Sequence, residues 1–363
     1  MKKTNSDLIA LCLVPGLGAV KIKRLIDSVN DTEEIFSRSE YKDIRSSEEV
    51  KQELEYIRDN DIKAITICDD DYPEALRNIY DPPVVLFVKG SIDSCDINSV
   101  GIVGARKCSL YGMRIAEKLG YDLASRDITV VSGLANGIDA SSHRGALKAA
   151  GRTIAVMGSG FRHIYPSSSR RVYEDIQHHG AVVTEYTSDI RPDRCTFPRR
   201  NRIISALSKG IVVVEAAARS GALITSNCAL EHGKEVFAVP GHIDSPSSAG
   251  TNKLIQDGAK LVIRVEDILE ELNIETVELK IKIKNEKSKI NEVSSRNLPE
   301  ANIRDLNDKE KKVISIIDTA DKVHIDSLME KSGIAPGSLS KVMLDLELKG
   351  KIKALAGKEY SLT

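Results

Sequence analysis

Residues 99–133 read SVGIVGARKCSLYGMRIAEKLGYDLASRDITVVSG, and they decide the fold. Two apolar runs of strand length, SVGIVG and ITVVSG, each end in glycine, and LYGMRIAEKLGYDLASR between them has the period of an amphipathic helix. β-Branched runs this continuous predict strands buried on both faces, and strand, helix, strand in this order predicts a parallel βαβ unit. The same rhythm returns in TIAVMG (153–158), AVVTE (181–185), IVVVEA (211–216) and EVFAVP (235–240). The expected fold class is α/β: a Rossmann-like, doubly wound, mostly parallel sheet over residues 91–272.

Outward from this centre the composition changes. Residues 1–90 are expected to form a small helical domain, in which PGLG (15–18) separates two helix-period segments in the manner of a helix-hairpin-helix. Lys21, Lys23 and Arg24 follow that hairpin, yet the segment carries 13 Lys and Arg against 18 Asp and Glu, which favours a structural or regulatory role over DNA contact. Residues 273–305, rich in Lys, Glu, Asn and Ser, read as a linker. Residues 306–363 read as a winged helix, opened by a capping box from Asn307 to Glu310. Its second helix sets Lys341 and Lys349 against Asp345 and Glu347 and so lacks a basic face.

Bulk properties exclude several classes. With 52 Lys and Arg against 53 Asp and Glu, the net charge is −1, so any basic surface is local. Six cysteines without a C-x-x-C pair fit a reduced, cytoplasmic protein. Asp7 breaks the first apolar stretch early and no cleavage site follows, so the N-terminus reads as folded protein, and no apolar run is long enough to span a membrane. Seven histidines show no H-E-x-x-H and no zinc spacing with cysteine, and neither G-x-S-x-G nor a Walker A motif is present; no metal, cofactor or catalytic residue is expected.

In a parallel sheet the loops that leave the strands gather at one edge beside helix N-termini, where ligands bind. Here they read GIVGARKCS, SGLANGIDASS and MGSGFRHIYPSSS, whose glycines let backbone N–H groups approach an anion. FPRRNR (197–202) then puts Pro198 at the expected first helical position and Arg199, Arg200 and Arg202 in the first turn. Cations there are unfavourable by about 0.3–1 kcal/mol each when exposed. Carboxylates such as Glu185 and Glu215 could offset this for any one arginine. For the cluster, joined at the same edge by Arg106 and Arg194, a bound phosphate is the better expectation. Phe197 reads either as a platform for a base or as a core residue.

GIVGARKCSLYG, SGLANGIDASSHRGAL, MGSGFRHIYP, FPRRNRIISALSKGIVVVEAAARSGALITSNCALEHGKEVFAVPG and GTNKLIQDGAKLV together resemble the DNA-processing protein family DprA, also called Smf, over residues 97–263. The resemblance implies a non-catalytic homodimer that binds and protects incoming single-stranded DNA and loads RecA recombinase during natural transformation. Carried over by motif, Gly101, Gly104, Arg106, Ser132, Gly133, Arg194, Phe197, Arg200, Asn201 and Arg202 would line the DNA site. Ile255 and Leu261 of LIQDGAKLV would lie in the dimer interface, and the N-terminal unit would be sterile-alpha-motif-like. One departure is Asn136, where members often carry arginine.

The alternative is a nucleotide-binding enzyme related to the lysine-decarboxylase-like phosphoribohydrolases, since the same kind of sheet serves both. Those enzymes carry P-G-G-x-G-T-x-x-E after the strand that reads IVVVEA here, whereas this chain continues AARSGALITSNCALE, with Glu231 as the one acid left to propose. A dinucleotide enzyme would need G-x-G-x-x-G in place of GIVGARKCS.

Overall fold

The computed structural model describes residues 4–274, 306–318, 322–355 and 358–362. The chain divides into two compact units, Met1–Leu279 and Lys280–Thr363. Most of the expected linker, 275–305, lies outside the described residues.

The first unit is built on a nine-stranded sheet of β1 (Lys63–Thr66), β2 (Val85–Gly90), β3 (Ser99–Val103), β4 (Thr129–Ser132), β5 (Thr153–Val156), β6 (Gly180–Thr184), β7 (Gly210–Val213), β8 (Glu235–Ala238) and β9 (Lys260–Leu261). Their order is β1-β2-β6-β5-β4-β3-β7-β8-β9. From β3 to β9 every pairing is parallel, while β1 and β2 add an antiparallel edge next to β6. Side chains alternate between the two faces as buried strands require. Val100, Ile102, Val130, Val212 and Val214 enter one cluster, and Val103, Val131, Ile211 and Val213 the other.

Ahead of the sheet lie α1 (Asn5–Cys12), α2 (Ala19–Asp27), α3 (Thr32–Phe36) and α4 (Glu48–Asp59), with α5 (Glu74–Arg77) between β1 and β2. PGLG joins α1 to α2. The sheet begins at Lys63, so a helical domain running to residue 90 is too long: β1 and β2 belong to the sheet. Nor is the helical part separate, because Leu8, Leu11, Ile26, Phe36 and Val50 share one apolar cluster with Phe87, Met157, Phe161 and Val182.

The crossovers from β3 onward are α6 (Leu110–Ala124), α7 (Ile138–Lys148), α8 (Arg170–His179), α9 (Thr196–Leu207), α10 (Gly221–Glu231) and α11 (Ala249–Gln256), and α12 (Glu266–Glu271) follows β9. The chain winds outward from β3 to β6, then returns along α9 to β7 on the other side of β3. The order therefore reverses between β3 and β7, where a doubly wound sheet opens a crevice at its carboxyl edge.

The second unit contains α13 (Asp308–Asp318), β10 (Val323–His324), α14 (Ile325–Ser332), α15 (Pro336–Leu348), β11 (Ile352–Leu355) and β12 (Glu359–Leu362), with strand order β10-β12-β11. It is a winged helix. The capping box forms: Glu310 N donates to Asn307 Oδ1 at 2.9 Å and Asn307 N to Glu310 Oε2 at 2.7 Å.

A candidate nucleic-acid cleft at the sheet edge

A cleft of about 590 Å³ opens at the switch point, between the ends of β3 and β4 and the N-terminal parts of α9 and α10. Gly104 and Arg106 come from the loop after β3, and Asp139 from α7. Tyr165 follows β5, Asp193 and Arg194 precede α9, and Phe197, Arg200 and Asn201 lie on α9. Ser220, Ile224 and Thr225, at the start of α10, close the far wall. Helix α9 begins at Thr196, two residues before the expected start, so Pro198 is its third residue, still in the first turn where no N–H is needed.

The arginines of FPRRNR separate into different roles. Arg199 is exposed. Arg200 is 3% exposed, and its Nη1 donates to the carbonyl oxygens of Gly133 and Val156 at the ends of β4 and β5. Burial lowers its pKa to about 10, opposed by Asp139. Arg202 turns away from the cleft: Nε pairs with Asp81 Oδ2 at 2.8 Å and Nη2 with Glu185 Oε2 at 2.7 Å. Of the two carboxylates, Glu185 is therefore the one that offsets an arginine of this turn. Glu215 instead caps α6, accepting from Ser109 N at 2.9 Å, with Ser247 Oγ at 2.5 Å on its other oxygen.

At the mouth, Arg106 is exposed and its guanidinium carbon lies 4.6 Å over the Phe197 ring centroid. The Tyr165 ring, 49% exposed, is tilted against Phe197 at 5.8 Å. Phe197 packs on Gly158, where an added Cβ would come within 2.8 Å of the ring. Cation and aromatic surface therefore meet on one wall, with Arg194 exposed beside them. Burial raises the Asp139 carboxyl to about 6, against the pull of Arg200.

Of the expected DNA contacts, Gly104, Arg106, Arg194, Phe197, Arg200 and Asn201 line the cleft. Gly101, Ser132, Gly133 and Arg202 do not. Gly101 is inside β3, where a Cβ would strike the Ile211 side chain, and Ser132 Oγ, fully buried, donates to Ile102 O at 2.5 Å. Gly133 makes room for Arg200, whose guanidinium lies 2.5–2.6 Å from where a Cβ would stand. These glycines serve packing, not anion approach. Asn136 Oδ1 accepts from Ser168 Oγ at 2.7 Å. His143 of SGLANGIDASSHRGAL is fully buried against Thr153 Oγ1 at 2.7 Å, where burial lowers its pKa to about 3. Glu231, at the exposed end of α10, is not a cleft residue.

Sequence reasoning missed Asp139, Tyr165 and Thr225. Asp139 stood in a quoted motif, but its inward direction depends on where α7 begins. Ile255 is half-buried on α11, and Leu261 is 38% exposed on the edge strand β9. Among the described residues no cluster of His, Cys, Asp or Glu is placed to hold a metal ion, and no helix is long and apolar enough to cross a membrane.

The family model for DNA recombination-mediator protein A matches residues 63–273, more than half of the chain, and that for the DprA winged helix domain matches residues 298–358. The DNA processing protein DprA of Bacillus subtilis is 44% identical over 216 residues, covering 59% of this chain and 73% of that protein. The X-ray structure of DNA processing protein A from Streptococcus pneumoniae superposes with a TM-score of 0.64 at 36% identity, over 75% of this chain and 99% of that one. A Helicobacter pylori DNA processing protein A, solved for its single-stranded DNA binding mode, gives a TM-score of 0.52 at 27% identity, over 58% and 95%. The start of the family match at residue 63 coincides with the first residue of β1. With its sheet, its cleft motifs and its winged helix all accounted for, the chain belongs to the DNA recombination-mediator protein A family, that of the DprA and Smf proteins.

Proposed function

We propose that this protein is a cytoplasmic recombination mediator that binds single-stranded DNA in the switch-point cleft, protects the incoming strand and loads RecA recombinase onto it during natural transformation. The observation that carries this reading is the wall formed by Arg106, Arg194, Phe197 and Tyr165. It offers cations to phosphates and aromatic faces to bases, a combination that holds a single strand with little sequence preference. The Helicobacter pylori relative, solved for its single-stranded DNA binding mode, supports the choice of strand. Binding and hand-over need no bond chemistry, so the cleft acts by positioning. The protein works as a homodimer through the β9 edge, where Leu261 is exposed.

The test is fluorescence anisotropy of a labelled oligothymidine, alone and annealed to its complement, at two salt concentrations without nucleotide or metal. Salt-sensitive binding that prefers the single strand supports the reading, and RecA filament formation on the bound strand is then measured. Absence of binding returns the cleft to the nucleotide-enzyme alternative.

A further inference from the structure

The cleft's outer wall is carried by two loops that leave neighbouring strands. The loop after β5 brings Tyr165, and the loop after β6 brings Pro192, Asp193 and Arg194. They are joined to each other behind the wall, at Ser188, and the residue that completes the joint comes from the N-terminal helices. Glu53 of α4 is 6% exposed, its Oε1 accepting from Ser188 N at 2.8 Å and its Oε2 from Ser188 Oγ at 2.5 Å. Arg162, in the loop after β5, donates from its backbone N to Ser188 O at 3.1 Å and from Nε to Ser188 Oγ at 3.2 Å. Its guanidinium carbon lies 4.1 Å over the ring of Tyr56, one turn along α4 from Glu53. The contacts close into a ring: Glu53, Ser188, Arg162, Tyr56. Close beside it Gly160 N donates to Ile190 O at 2.8 Å, and a Cβ on Gly160 would come within 2.1 Å of Thr187 O.

This ring is not needed to attach α1–α4 to the sheet. The apolar cluster of Leu8, Leu11, Val50, Phe87, Phe161 and Val182 already does that. A carboxylate withdrawn from water is costly unless its hydrogen bonds are satisfied, and both oxygens here are spent on a single loop residue. We propose that Glu53 is a positioning residue for the cleft: by fixing Ser188 it holds the Pro192–Arg194 wall and the Tyr165 loop at one spacing, so that the N-terminal helical part governs single-strand binding without touching DNA. This rests on the reading of the cleft given above.

The test uses the full-length chain with Glu53→Gln, which keeps the side chain's size but turns a donor toward Ser188, and with Ser188→Ala as a second, milder variant. Affinity for oligothymidine, thermal unfolding and amide exchange are measured on each. The expected result is about tenfold weaker binding, one charged hydrogen bond transmitted to the wall. Amide exchange should quicken at residues 188–194, with exchange in α1–α3 and the unfolding midpoint close to wild type. The proposal is overturned if residues 188–194 loosen while affinity stays at the wild-type value, or if affinity falls only together with faster exchange throughout α1–α3. Should the wild-type chain itself fail to bind the oligonucleotide, the cleft reading falls, and exchange at 188–194 alone decides whether Glu53 positions the wall.

Discussion

The Arg106 guanidinium rests on the Phe197 ring, 4.6 Å from its centroid, and Phe197 in turn is seated on Gly158. The aromatic residue thus holds a cation over its face at the mouth of the cleft. Arg106→Lys, which retains charge but loses the planar stack, should weaken single-strand binding, as should Phe197→Leu. Because the two act as one unit, the double variant should lose less than the sum, with a coupling of about 0.5–1 kcal/mol. A double-mutant cycle by anisotropy measures it; strict additivity would mean that Phe197 meets the strand on its own account.

Arg202 and Arg194 should separate cleanly. Arg202 is 7% exposed and bound to Asp81 and Glu185, so Arg202→Ala strands a buried carboxylate and should destabilise the first unit by about 3–5 kcal/mol. Arg194 is exposed at the cleft. Arg194→Ala should leave stability within about 0.5 kcal/mol and reduce the salt dependence of binding by about one phosphate contact. Denaturant unfolding and salt titration of affinity check the pair.

The difference between these arginines shows what a sequence of this kind discloses. Strand-length runs ending in glycine and alternating with helical segments carried the number and parallel sense of β3 to β8, because burial on both faces leaves a one-dimensional signature. The cleft's location followed from the same pattern. Which of Arg199, Arg200 and Arg202 faces it did not, since one residue's step along α9 turns a side chain through about 100° and the helix starts two residues earlier than Pro198 suggested. Gly101 and Gly133 looked like phosphate-binding glycines, but make room for Ile211 and Arg200, partners distant in sequence. The β1–β2 edge was hidden because antiparallel strands beside a helical domain break the βαβ rhythm.

Asp139 makes the stability of the first unit fall as pH rises towards neutrality. Burial raises its carboxyl to about 6, so the folded state holds a proton that the unfolded chain releases near pH 4. The stability this group contributes is therefore full below pH 4 and lost as pH rises through 6, a change of at most about 3 kcal/mol. Asp139→Asn should abolish that part of the pH dependence in denaturant unfolding between pH 4 and 7. In wild type, neutralising a carboxylate that faces the cleft should also tighten oligothymidine binding as pH falls from 7.5 to 5.5. A profile shared by wild type and variant would assign the change to another group.

The β9 edge supports the last prediction. This strand has only two residues, Lys260 and Leu261, and pairs with β8 on one side alone, which leaves its outer backbone and the Leu261 side chain at the end of the sheet. Ile263, 78% exposed, follows after the buried Val262, and Ile255 lies half-buried on α11 just before. A short edge strand flanked by exposed apolar residues is open to pairing with a second copy. If the chain pairs through this edge as proposed, Leu261→Arg places a charge at its centre and should lower the oligomeric mass to that of a monomer in light scattering at micromolar concentration. The substitution touches no cleft residue, so the monomer should retain contacts to one strand and lose only the affinity gained when two linked clefts engage the same long oligonucleotide. Short oligonucleotides should then bind both forms equally, while long ones should bind the variant more weakly. An unchanged mass would remove β9 from the interface.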